Sequence, residues 1–260
     1  MLLRLRSLPA QLLPHGPLDA VRQVLLFAVA YYAYRYTRGL VDDPQSATVA
    51  FQNARSIIHI EQTLGLFVEP SVQAWSASVP VLQDFTSWMY INAQSTVTLA
   101  ALVYLYLFHN ASFYFVRNMF VVAWIIAIIG YILLPTAPPR FLPEWGFFDS
   151  VAQFTGISQD SVTVNALFNP YAAVPSMHVG FALMIGVPLA KLSRHRVTRI
   201  AWALYPLLVT FVIVATANHF IADAVLGALT AVAASWVAAW MARARPSAWA
   251  FSPAKATSTA

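Results

Sequence analysis

The stretch Asn218-His219-Phe220-Ile221-Ala222-Asp223 opens the last apolar run of the chain. A histidine and an aspartate four residues apart lie on one face of a helix. Ionisable groups at the mouth of a membrane segment are costly, and such residues are functional candidates by default. Upstream the theme returns, where Pro175-Ser176-Met177-His178 leads into another apolar run. The expectation is that these two histidine-bearing helix starts meet at one face of a membrane.

Composition points to the same setting. Of the 260 residues, 59% are hydrophobic and only 10% are charged, and the mean hydropathy is +0.64. A soluble domain carries roughly 25% charged residues, so the shortfall argues for an integral membrane protein. Cysteine is absent, which excludes disulfides and thiolate metal sites. The net charge of +5 comes mainly from arginines between apolar runs, which suits the positive-inside rule and not a nucleic-acid surface. No internal repeat is present.

Outward from the two histidines, apolar periodicity predicts spans at about 20–38, 91–109, 117–135, 177–190, 200–217 and 219–241. The span at 177–190 is short, so it is expected to be buried among the others. In residues 39–90, Ile57, Ile58, Leu64, Leu66 and Phe67 alternate with Arg55, His59 and Glu61, the pattern of an interfacial amphipathic helix. A second interfacial piece is expected at Val72–Trp88, with Trp75 and Trp88 in an aromatic belt. The fold class is therefore all-α: a polytopic membrane protein with six transmembrane helices and interfacial amphipathic helices in the first outer loop. Residues 1–19 form an N-terminal segment without signal-peptide character, 20–242 the membrane domain, and 243–260 a disordered tail.

Charge orients the bundle. Arg4, Arg6 and Arg22, the basic loop Lys191–Arg199, and Arg243 with Arg245 fall on one side of a six-span chain, which makes that side cytoplasmic, both termini included. The short 110–116 loop falls there too, so the sequon Asn110-Ala111-Ser112 is discounted. Asp42, Asp43, Glu61, Glu69, Asp84, Glu144, Asp149 and Asp160 fall opposite, as do His178 and His219. The excess of Arg over Lys and the abundant alanine suggest a bacterial plasma membrane.

Three elements can carry chemistry. Asp223 can fix the tautomer of His219 and leave its other nitrogen free; the bland alternative is a satisfied polar contact between helices. Ser176 is placed to N-cap the helix that begins at His178, and the free N–H groups of that helix start would face an anion; otherwise His178 is interfacial. Pro135-Thr136-Ala137-Pro138-Pro139-Arg140 is a stiff exit from a span that can hold Arg140 over the same face, where a guanidinium suits phosphate; otherwise it is a loop arginine. His15, His59, His109 and His195 have no evident partners.

These residues resemble a family. Pro-Ser-x-His followed by His-x-x-x-Asp on neighbouring membrane helices is similar to the type 2 phosphatidic acid phosphatase (PAP2) superfamily. The segments 135–140, 174–178 and 216–223 resemble its inositolphosphotransferase branch, the group similar to fungal inositol phosphorylceramide synthase. Asn53-Ala54-Arg55, Glu61 and Leu64-Gly65-Leu66-Phe67 resemble that branch's upstream segment, and the likeness covers roughly 50–235. The resemblance implies a six-helix core and a phosphohistidine route. His219 would attack phosphorus, Asp223 would orient it, and His178 would protonate the leaving alkoxide. Ser176 and Arg140 would hold phosphate oxygens, with Arg55 as a second substitute cation. Two usual groups are missing: Leu133 stands where the superfamily's motif lysine would be, and Ile213 where its second arginine would be. The branch shows the same gaps.

The expected substrate is a phospholipid or lipid phosphate, with no metal and no cofactor. Water as acceptor makes a phosphatase; a lipid or sugar hydroxyl makes a phosphotransferase that moves a phosphoryl-headgroup resembling inositol phosphate. The loop 141–175 is expected to shape the substrate entrance. Two other classes stand beside this reading. One is a metal-dependent hydrolase with His178, His219 and Asp223 as ligands. The other is a transporter or scaffold with a buried polar cluster.

Overall fold

The structure is a computed structural model, and it describes residues 13–38, 44–157 and 171–244. The expected disordered tail lies almost wholly outside the described residues, as do most of the N-terminal segment and part of the expected entrance loop. Among the described residues the chain is all-helical, with one isolated parallel bridge between Thr136 and Ala172. The helices are α1 (Gly16–Arg38), α2 (Pro44–Thr63), α3 (Glu69–Ala77), α4 (Pro80–Phe108), α5 (Asn110–Leu133), α6 (Ser150–Thr155), α7 (Met177–Leu192), α8 (Arg196–Ala215) and α9 (Ile221–Ala244). Two 3-10 turns, Pro139–Phe141 and Pro143–Trp145, follow α5.

Four helices are long and apolar enough to cross a membrane: α4, α5, α8 and α9. The two other expected spans fall on α1 and α7. Helix α7 has the composition but only 16 residues. At 1.5 Å per residue that is about 24 Å, short of a hydrocarbon core of about 30 Å. It lies at the centre of the bundle, packed on α5, α8 and α9, with most of its length buried. Small residues permit this. A Cβ at Gly186 would lie 2.8 Å from the Trp202 carbonyl, and one at Gly130 would lie 2.7 Å from Cδ of Pro175. Close backbone approach through small residues is how helices associate in lipid.

Two expected boundaries are corrected. The segment Val72–Trp88 is not a separate interfacial piece. Val79 is extended, Pro80 takes the first helical turn, and the helix then runs to Phe108 through a π segment at Ala93–Val97. Pro80 is tolerated there because a first-turn N–H has no intrahelical partner. The expected 110–116 loop is helical, and α4 and α5 are separated only by His109.

The bundle has two chemically different ends. At one end, α7 closes at Lys191 and α8 opens at Arg196, so the basic loop sits there. Asp19 near the start of α1 joins this end: its carboxylate accepts from the hydroxyls of Tyr106 (2.9 Å) and Tyr114 (2.7 Å), which flank the α4–α5 turn. Gln23 donates to the same carboxylate and accepts from Arg117. At the other end, α2 lays Ala50, Ala54, Ile57 and Ile58 against Ala137, Leu142, Phe147, Val174, Ala217 and Phe220. The amphipathic face of α2 thus covers protein and forms a cap over the ends of α5 and α8 and the starts of α7 and α9. Asn53 donates to the Pro135 carbonyl (2.7 Å), and the Ala137 amide donates to the Ala50 carbonyl (3.1 Å).

Candidate active site

Beneath that cap, the turn Thr216–Phe220 between α8 and α9 carries the first histidine. The amides of Asn218 and His219 both donate to the Ile213 carbonyl, which closes α8. Ala217 has φ +52°, a left-handed conformation that costs an L-residue roughly 1–2 kcal/mol. Non-glycine residues held this way cluster at functional sites. The turn points His219 back along the axis of α9, where Nδ1 meets Oδ2 of Asp223 at 3.2 Å. The same oxygen accepts from the Phe220 amide at 3.0 Å. Asp223 is fully buried and His219 is 6% exposed, so little water competes for this pair.

The second histidine comes from the start of α7. The Ser176 amide donates to the Asp223 carbonyl at 3.0 Å, which ties the two helix starts together. A side chain at Gly227 would strike the Ser176 carbonyl, so the absence of a Cβ there is what lets α9 pass this close. His178 sits one turn into the site. Its ring meets the His219 ring edge-on, with centroids 5.5 Å apart. Its other neighbour is Tyr90 of α4, stacked at 4.4 Å and 22°, whose backbone carbonyl accepts a hydrogen bond from the His178 ring. Tyr90 lies just before the π segment, and such segments recur at functional sites.

Ser176 does occupy the N-cap position, but its hydroxyl makes no capping bond. Its Oγ is fully buried and has no hydrogen-bond partner. A buried hydroxyl without a partner costs free energy; Ser176 lies two residues before His178, with its amide tied to the Asp223 carbonyl.

Arg140 is held by the turn itself. Its amide donates to the Ala217 carbonyl (2.8 Å), its Nη1 donates to Oδ1 of Asn218, and Asp149 stands 3.7 Å from its Nε. The guanidinium also lies over the Phe141 ring, 4.6 Å from its centroid. Arg55, by contrast, is exposed and pairs with Glu144 at 3.2 Å. The structure thus brings His178, His219, Asp223, Ser176 and Arg140 together and leaves Arg55 at the rim. Leu133 is 76% exposed on the outside of α5, and Ile213 is packed in the core with no exposure. The Ile213 backbone serves the histidine turn, since its carbonyl accepts from the His219 amide.

Four contributors escaped the sequence reading. Tyr90 carried no motif. Asn218 was quoted as part of the turn but not as the residue that fixes Arg140. Glu61 and Glu69 read as acids of an outer loop, yet they reach the start of α9, where their Oε1 atoms accept from the amides of Ala222 (2.8 Å) and Ile221 (3.0 Å). Among the described residues, no group of three His, Cys, Asp or Glu side chains is arranged to hold a metal ion.

Residues 55–237 match the family model of the PAP2 superfamily. Neither the comparison with curated proteins nor that with solved structures finds a match. With more than half of its length matched, the chain belongs to the PAP2 superfamily, whose members are phosphatases.

Proposed function

We propose that this protein is an integral membrane phosphotransferase that acts on a phospholipid headgroup or lipid phosphate through a phosphohistidine intermediate. One observation carries the reading: two imidazoles from segments far apart in the chain meet edge-on with centroids 5.5 Å apart, and Ser176, two residues before one of them, has a buried, unpartnered hydroxyl. In-line displacement at phosphorus needs a nucleophile, an acid for the leaving oxygen, and donors for the equatorial oxygens.

The roles follow from the contacts. Asp223 accepts from Nδ1–H of His219 and leaves Nε2 with a lone pair. Nε2 forms the N–P bond while the P–O bond to the leaving alcohol breaks. Protonated His178, held by Tyr90, gives its proton to that alkoxide. Ser176 Oγ and Arg140 hold the phosphoryl oxygens. In the second half His178, now neutral, takes the proton of the acceptor hydroxyl. The acceptor oxygen displaces Nε2, and His219 is regenerated. No metal takes part in this scheme.

The finer assignment rests on the resemblance of segments 135–140, 174–178 and 216–223 to the inositolphosphotransferase branch. It makes the acceptor a lipid or sugar hydroxyl and the transferred group a phosphoryl-headgroup. A six-span membrane domain over 20–242, with cytoplasmic termini and the site at the outer face of a plasma membrane, is the arrangement that charge bias supports. Simple hydrolysis of a lipid or polyprenyl phosphate is the second reading, with water in place of the acceptor hydroxyl.

The test is incubation of purified protein with radiolabelled phospholipids and lipid phosphates, with acid-labile protein-bound phosphate measured in wild type and His219→Ala. Label in the wild type and none in the variant is expected, and turnover should survive a strong chelator. Added acceptor lipids should divert label from free phosphate to a new lipid. An unlabelled wild type that turns over, or one that needs a divalent ion, overturns the proposal.

A further inference from the structure

Two buried carboxyl groups lie outside the reaction scheme. Glu61 ends α2 and Glu69 begins α3; they are 2% and 0% exposed. Each spends one oxygen on the start of α9, where a helix has amides without intrahelical partners. Their other oxygens, both Oε2, are buried and receive no donor from the rest of the protein. Because they accept from the successive amides Ile221 and Ala222, the two carboxyl groups stand side by side. Two carboxylates cannot hydrogen-bond to one another without a proton between them, and like charges so close resist joint ionisation.

We propose that Glu61 and Glu69 share one proton and act together as a positioning device, clamping the start of α9 so that His219 and Asp223 keep their alignment. The clamp reaches the reacting groups by a short path. Ala222 and Ile221 lie between His219 and Asp223, and the Asp223 carbonyl holds the Ser176 amide. Loss of the shared proton places two negative charges side by side, with Asp223 as a third carboxyl facing them from α9. Repulsion then loosens the cap. Of the other ionisable groups on the neighbouring segments, Arg55 pairs with Glu144, His59 is exposed, and Arg140 bears on His219, Asn218 and Asp149. Displacements of about 1 Å at reacting groups cost up to about a hundredfold in rate.

Geometry is joined by proton affinity. Burial first, then the hydrogen bond to Glu69, push Glu61 up to about 8 from an ordinary 4.5. Glu61 therefore holds the proton at neutral pH and releases it in mildly alkaline solution.

The kinetic arm of the test rests on the phosphotransfer reading; the spectroscopic arm does not. Infrared titration of the purified full chain should show a protonated-carboxyl carbonyl band at neutral pH. The band should fade as pH passes about 8 and be missing from Glu61→Gln. In the lipid-phosphate assay, the wild type should lose kcat on the alkaline side of about 8. Glu61→Gln keeps both hydrogen bonds with an amide and should move that limb upward by about one pH unit or more. Glu61→Ala should lower kcat about tenfold or more at neutral pH with KM nearly unchanged. A band unaltered in Glu61→Gln, or alkaline limbs that coincide, overturns the proposal. A wild type inactive on every lipid phosphate would instead overturn the functional reading, and the infrared titration would still decide the acid pair.

Discussion

At the scale of single residues, the site depends on a small number of fixed contacts. Asp223 uses one oxygen twice, on Nδ1 of His219 and on the Phe220 amide, and so sets both the tautomer and the ring plane. Asp223→Asn keeps the volume but offers an amide where Nδ1 needs an acceptor. We expect kcat to fall by about two to four orders of magnitude, with the melting temperature nearly unchanged. Stopped turnover and the yield of acid-labile phosphate check this. The sequence made the His219–Asp223 pair legible because the two residues are only four positions apart. It also made His178 visible by its motif. It could not display Tyr90, since a stacking partner from α4 has no local signature.

Elements add a second layer of constraint. Helix α9 begins at a start capped by three carboxylates from three helices, Glu61, Glu69 and Asp223. The acid pair has a thermodynamic consequence of definite sign. Glu61 binds its proton more tightly in the folded state than its ordinary 4.5, so its contribution is full below that value and is lost as pH rises towards about 8. Thermal unfolding in detergent should show stability falling across that window in the wild type and a shallower fall in Glu61→Gln. The opposite end of the bundle is joined by Asp19, which holds α1 to α4 and α5 through two tyrosines and Gln23. Asp19→Ala leaves those donors unpaired, and we expect a loss of about 2–4 kcal/mol in the unfolding free energy. Apolar periodicity located most helices. It missed the join at Pro80–Phe108, because Trp75 and Trp88 suggested an aromatic belt that ended before a separate span at 91–109. The stripe on α2 suggested an interfacial helix; which protein surface its buried face covers was not legible, since an apolar stripe does not name its partner.

For the whole molecule, the separation of a histidine end from a basic end makes sidedness testable. The chain has no cysteine, so single cysteines can be introduced without a background. In intact cells, an impermeant maleimide should label Gln62→Cys at the histidine end, and should label Ser193→Cys in the basic loop only after permeabilisation. The reverse pattern would place the site on the cytoplasmic side. The sequence alone determined that the chain is a membrane protein and that two histidine motifs open two helices, because hydropathy and helical spacing are properties of neighbouring residues. Tertiary structure decided the rest. Glu61 meets Ala222 across 161 positions, Arg140 meets Asn218 across 78, and the imidazoles converge only because glycines let α7 and α9 approach. Contacts of that separation depend on how helices pack in three dimensions, which no local pattern of residues encodes.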